Sequence, residues 1–125
     1  MGKRIVIIDD NQDILELLAM VFRNAGHSVV YSQGALDIAY IKAFSPDLIL
    51  LDVIIQNIPA RGAELCQNLK SDEQTSNIPV VLCSAETNLN KIAADCQTDF
   101  YIAKPYDFTR LLSQLDKFLK YKFLS

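Results

Sequence analysis

Positive charge is not in excess in this chain. Twelve Lys and Arg stand against 15 Asp and Glu, a net charge of -3, and the pI is about 5.0. Nucleic acid as the main partner is thereby disfavoured, because phosphate backbones are met by clustered cations. No apolar run is long enough to cross a bilayer and no signal peptide precedes Asp9, so a cytoplasmic protein with no membrane partner is expected. The three cysteines, Cys66, Cys83 and Cys96, form no CxxC and no metal-ligand spacing. They read as small core residues in a reducing compartment. The single histidine, His27, falls in a turn away from the acidic stretches, a poor place for a phosphocarrier. There is no internal repeat, linker or low-complexity tract. What remains is a chain of 125 residues, 50% hydrophobic, which suits one domain with one core and is too apolar for disorder.

The apolar residues fall into strand-length runs separated by helical patterns. Leu48-Ile49-Leu50-Leu51 is too short for a helix and does not alternate, so it suits a strand covered on both faces and ending at Asp52. Arg4 to Ile8 reads the same way and ends in Asp9-Asp10. Between these strands, Ile14, Leu17, Leu18, Val21, Phe22 and Ala25 form a helical stripe. Asn11 or Asp10 caps this helix and Gly26 stops it. Ser28 to Ser32 is an edge strand, and a helix from about Ala35 to Phe44 carries Leu36, Ala39, Tyr40 and Ala43 on one side until Ser45-Pro46 ends it. Beyond Asp52, a loop to Arg61 precedes a helix from Gly62 to Ser71. A strand from Ile78 to Cys83 follows, then a short helix from Asn88 to Cys96, a strand from Asp99 to Ala103, and a last helix capped by Asp107. Five alternations of strand and helix predict an α/β sandwich of three layers, a parallel sheet with helices on both faces.

Ligands of such sheets bind beyond the carboxyl ends of the strands. Here those ends read Asp9-Asp10, Ser32, Asp52, Ser84 and Lys104. Singly, each has a plain structural reading as a cap, a turn residue or a solvated charge. Together, carboxylates, a hydroxyl and an ammonium at one rim are the parts of phosphoryl transfer, with Mg²⁺ held by the acids, Ser84 donating a hydrogen bond and Lys104 supplying positive charge. Arg61 reads as a solvated loop charge. A flavin or nucleotide binder on a flavodoxin-like sheet is the competing class. The turn Asp9-Asp10-Asn11-Gln12-Asp13 argues against it, being acidic and without glycine.

These motifs, Ile8-Asp9-Asp10, Leu51-Asp52, Cys83-Ser84-Ala85 and Ala103-Lys104-Pro105, resemble the receiver domains of two-component response regulators, in that order and over nearly the whole chain. The resemblance implies a flavodoxin-like fold with strand order 2-1-3-4-5 and five helices, and one receiver domain over 1–125. It implies Asp52 as phosphoacceptor from a histidine kinase or histidine phosphotransfer protein. It implies Mg²⁺ held directly by Asp10, Asp52 and the main-chain carbonyl of Ile54, and by Asp9 mostly through water. Ser84 and Lys104 bind the phosphoryl group, Lys104-Pro105 is a cis peptide, and Tyr101 is the switch aromatic. Ile54 and Glu86 flank the acceptor. The output is protein contact through the fourth helix, fifth strand and fifth helix, so the molecule is a switch rather than a turnover enzyme; an unphosphorylated interaction module is the alternative. Two departures stand out. The family's Asp-x-x-Met-Pro is replaced by Asp52-Val53-Ile54-Ile55-Gln56, with Pro59 and Gly62 displaced downstream, which implies a two-residue insertion. The stretch from Ser84 to Lys104 is short and Gln97 replaces a common glycine cap, which predicts a short fourth helix.

Overall fold

Strand and helix alternate as β1 (Arg4–Ile8), α1 (Gln12–Asn24), β2 (Ser28–Ser32), α2 (Ile38–Phe44), β3 (Leu48–Asp52), α3 (Arg61–Ser71), β4 (Val80–Ser84), α4 (Leu89–Asp95) and β5 (Phe100–Ala103). This computed structural model describes residues 2–34, 36–55, 61–84, 89–96, 98, 100–103 and 113. The helix expected from Asp107 lies outside them. The strands form one parallel sheet in the order β2-β1-β3-β4-β5, the order that the resemblance implied.

Chain direction explains which face each helix covers. The step from β1 to β2 runs one way across the sheet, and every later step runs the other way. Right-handed crossovers therefore put α1 on one face and α2, α3 and α4 on the opposite face. The two cores match this division. Ile5, Ile7, Leu48 and Leu50 pack with Leu15, Leu18 and Phe22 of α1. Val6, Ile8, Ile49 and Leu51 pack with Ile41, Cys66, Leu69 and Ala93. Every residue of β3 is buried, as its lack of alternation predicts. Among the described residues no helix is long and apolar enough to cross a membrane.

Local chemistry sets the element ends. Asn11 caps α1 through its side-chain oxygen, which accepts from Ile14 N–H. At the other end Gly26 takes φ +95°, its N–H donates to Arg23 O, and His27 N–H donates to Phe22 O. That is a Schellman close, and it needs a residue free to be left-handed. The His27 ring meets Phe22 edge-on and its Nδ1 accepts from Lys3 N–H at 3.0 Å, so this histidine joins the chain start to the helix end. On the open side of the sheet, Arg23 Nη2 donates to Val29 O at 2.9 Å and its guanidinium lies 5.6 Å from the Tyr31 ring centre.

Three sequence expectations need correction. The α1 stripe is Leu15, Leu18, Ala19 and Phe22, with Leu17 exposed. The second helix starts at Ile38 rather than Ala35, because Asp37 caps it by accepting from Ala39 N–H. Its inward residues are Ile38, Ile41 and Phe44, while Ala39, Tyr40 and Ala43 are exposed. Strand β4 begins at Val80, not Ile78. Pro79 has no N–H for the ladder, and the Ile78 carbonyl is taken by Lys70 Nζ at 2.6 Å.

Lys42 Nζ lies 2.6 Å from Asp72 Oδ2 and ties α2 to the connector after α3. The Lys42 ammonium, aided by Gln74 N–H, holds the Asp72 carboxyl below its usual range. A depressed folded value means the pair stabilises above the unfolded carboxylate range, and that contribution disappears as pH falls through the folded value. Both side chains are partly exposed, so the effect is small and salt-sensitive. Asp72→Asn is expected to lower the urea midpoint slightly at neutral pH and not at acid pH. An equal loss at both would assign the effect to something other than the charge pair.

Candidate functional site

The chain reverses its course across the sheet between β1 and β3, and their carboxyl ends open onto the same crevice. Asp9 follows β1 directly. Its N–H donates to Ser32 O and so extends the β1–β2 ladder by one residue. Asp52 closes β3 opposite Cys83 of β4, and Val53 N–H donates to Cys83 O just beyond it. Both acids are therefore held by sheet backbone rather than by mobile loop.

Asp9 and Asp52 are buried, 3% and 5% exposed, and Asp10 is exposed. Each of the three offers a carboxylate oxygen within 4.8 Å of the others. Buried carboxylates need hydrogen-bond donors. Asn11 N–H donates to Asp9 Oδ1 at 2.9 Å, and Ile54 N–H donates to Asp52 Oδ1 at 3.1 Å. Three carboxylates this close repel one another, and all the donors are hard oxygens. That set suits a small divalent cation such as Mg²⁺ and not a soft metal. Ser84 ends β4 one residue past Cys83, 1% exposed, and pairs with Ala103 of β5. Tyr101 lies on β5 opposite Leu82 and is 48% exposed. Ile54 is half-buried two residues past Asp52, and Arg61 opens α3 half-buried. Lys104, Pro105 and Glu86 lie outside the described residues.

Two contributors escape a reading of sequence alone. Gln33 Nε2 donates to Asp10 O at 3.2 Å, linking the turn after β2 to the acidic turn; nothing in its spacing signals this. Gly62 packs against the main chain of Asp52 and Val53. A Cβ there would stand 1.7 Å from Asp52 O and 2.9 Å from Val53 Cα, while Gly62 N–H donates to Val53 O at 2.8 Å. The displaced position of Gly62 was its only signal. The insertion implied by the sequence falls before this contact, and the contact is made all the same.

A model of the response regulator receiver domain matches residues 5–116. The chain belongs to that family. The receiver domain is 33% identical over 94% of its length to the DNA-binding dual master transcriptional regulator RpaA of Synechocystis sp., covering 49% of that protein. It is 34% identical over 95% of its length to the phosphate regulon transcriptional regulatory protein PhoB of Pseudomonas aeruginosa, covering 52% of it. The chain thus spans about half the length of the curated relatives it matches. In fold, this receiver domain is similar to a CheY-like response regulator receiver domain protein from Methanospirillum hungatei, with a TM-score of 0.81 at 23% identity and coverage of 96% and 95%.

Proposed function

We propose that residues 1–125 form one receiver domain in which Asp52 accepts a phosphoryl group from a phosphohistidine of a histidine kinase or phosphotransfer protein. The observation that carries this reading is the convergence of Asp9, Asp10 and Asp52 within 4.8 Å at the switch point of a receiver sheet. A Mg²⁺ ion fits this donor set, held by the three carboxylates and the Ile54 carbonyl; when bound it neutralises the charge that sets an incoming phosphoryl group against the acids.

The chain's own residues do the rest. Ile54 N–H orients the Asp52 carboxylate by holding Oδ1. A carboxylate oxygen attacks phosphorus, the bond to the donor imidazole breaks, and the imidazole leaves. The Ser84 hydroxyl donates a hydrogen bond to one phosphoryl oxygen, and the Lys104 ammonium supplies positive charge to another. As Ser84 is drawn to the phosphoryl group, the exposed Tyr101 ring turns inward and alters the surface beside α4. This makes the protein a switch, with partners that are proteins. The DNA-binding names of relatives are those of chains about twice as long, and across these 125 residues the net charge of -3 favours protein partners over a duplex.

Acetyl phosphate with Mg²⁺ is expected to add one phosphoryl mass to the intact protein, and little without the metal. No mass gain under either condition would overturn the reading. Tyr101→Ala should phosphorylate normally yet lose the phosphorylation-dependent change in hydrogen exchange at α4. A variant that cannot be phosphorylated would place Tyr101 in the site or the fold instead.

The lifetime of the phosphoryl group follows from Ile54. Aspartyl phosphate is lost to in-line water, and a half-buried, branched, apolar side chain beside Asp52 covers that approach without hydrogen-bonding a water. Ile54→Asn is expected to shorten the lifetime several-fold, read as phosphate release after donor removal. Equal or slower release in the variant would show that Ile54 does not shield the site.

A further inference from the structure

The fold leaves two thiols in contact that phosphoryl transfer does not use. Cys66 stands in the middle of α3 and Cys96 one residue past α4, 30 positions apart in sequence. Both are buried, 0% and 1% exposed, in the core between the sheet and its helices. The Cys66 sulfur reaches Cys96 O at 3.7 Å, and the Cys96 sulfur reaches Ala63 O at 3.5 Å. The Cys66 sulfur thus lies against the main chain of Cys96, and the Cys96 sulfur against the α3 main chain one turn before Cys66. Cys83 packs in the core on the opposite face of the sheet, so the sheet separates it from the pair.

We propose that Cys66 and Cys96 are a thiol–disulfide modification site whose oxidised form ties α4 to α3, with a small disulfide of the glutathione class as oxidant. Cys96 reacts first. Its sulfur, as thiolate, attacks one sulfur of the external disulfide, that S–S bond breaks, and one glutathione leaves as a thiol. The Cys66 sulfur then attacks the Cys96 sulfur of the mixed disulfide, the second glutathione leaves, and Cys66–Cys96 is formed. The two protein thiols lose two electrons and two protons, and the external disulfide gains them to become two thiols.

The order follows from where each cysteine sits. Cys66 lies inside an eleven-residue helix, and burial, with the neighbouring Cys96, pushes its thiol up to about 12. Cys96 directly follows a seven-residue helix whose Lys91, Ala94 and Asp95 are exposed. Helices this short depend on packing to persist, so the last turn of α4 opens without disturbing α3. Burial raises the Cys96 thiol as well, which keeps the closed protein slow to react; opening of α4 is the gate. On the reading of α4 as part of the responding surface, the bridge would hold fixed the element that the phosphoryl group moves.

The test needs no phosphoryl donor, so its outcome is independent of that reading. The native chain is equilibrated with oxidised glutathione, and intact mass, peptide mapping and amide hydrogen exchange are read. The expected result is the loss of two hydrogens, a single bridge between Cys66 and Cys96, Cys83 still a thiol, and exchange in α4 slowed by about tenfold or more, a fraction of what a bridge closing such a loop supplies. Cys66→Ser is expected to stop at one mixed disulfide, on Cys96. Three remaining thiols after equilibration, a bridge involving Cys83 or a second molecule, or α4 amides that exchange no slower once oxidised would each overturn the proposal.

Discussion

Asp52→Asn protein incubated with acetyl phosphate and Mg²⁺ is expected to gain no phosphoryl mass, while Asp10→Asn gains it slowly and incompletely. The two acids differ in position and therefore in role. Asp52 is buried at the end of β3, its Oδ1 held by Ile54 N–H at 3.1 Å. An Asn there has nearly the same shape and its Oδ1 accepts the same bond, so the fold is kept. Only the anionic oxygen that would attack phosphorus is gone. Asp10 is exposed and would contribute one carboxylate of the three that converge there. Its replacement would weaken the hold on a cation while leaving the Asp52 carboxylate in place. Because three negative groups crowd within 4.8 Å, removing the charge at Asp52 should leave the thermal midpoint unchanged or raised in metal-free buffer. A full mass gain in the Asp52→Asn protein would move the acceptor elsewhere.

Gly62→Ala is expected to be among the most damaging conservative changes in the chain. In an ordinary helix, alanine is better than glycine by about 1 kcal/mol, so propensity alone predicts a gain. The neighbours reverse the sign. The new methyl would sit 1.7 Å from Asp52 O and 2.7 Å from Asp52 C. These are backbone atoms at the end of β3, with no rotamer to swing away. The first turn of α3 must retreat, breaking the 2.8 Å bond from Gly62 N–H to Val53 O, or the Asp52 main chain must move. Forcing extra volume into a packed site costs about 1–3 kcal/mol, at times more. For a domain of this size that lowers the melting midpoint by roughly 5–15 °C. Gly26→Ala is the internal control. That glycine also has a special conformation, φ +95°, but nothing lies within 4 Å of its missing Cβ, so only backbone strain of about 1–2 kcal/mol is incurred. The Gly62 variant should be the less stable of the two and should also phosphorylate poorly. A Gly62→Ala protein that melts at or above the wild-type temperature would contradict the close approach.

Where burial on both faces decides an element, the residues announce it. The runs at β1 and β3 end at acids, and the structure keeps those ends. The acidic rim was legible for the same reason, since each acid stands at the end of such a run. Helix faces were harder. In α1 the apolar residues Leu17 to Phe22 are contiguous, so more than one stripe fits a helical period, and only packing on the sheet selects Leu15, Leu18, Ala19 and Phe22. In α2 a cap at Asp37 changed the phase. Contacts between distant residues left no local mark at all. Gly62 on the Asp52 carbonyl, Gln33 on the Asp10 carbonyl and Cys66 against Cys96 depend on how separate elements come to lie side by side.

Arg23 has a consequence for how copies of this protein meet. An outermost parallel strand presents the backbone groups of every second residue to solvent, where another chain's strand can add to the sheet. Ser28 and Ser32 bond inward to Lys3 and Asp9, so Val29 and Tyr31 face outward. The Arg23 guanidinium takes the Val29 carbonyl and lies against the Tyr31 ring. An added strand would have to displace a charged, already satisfied donor before it made its first bond. The first helix thereby guards the rim of the sheet against self-templating, a safeguard against aggregation built from one side chain that neither core requires.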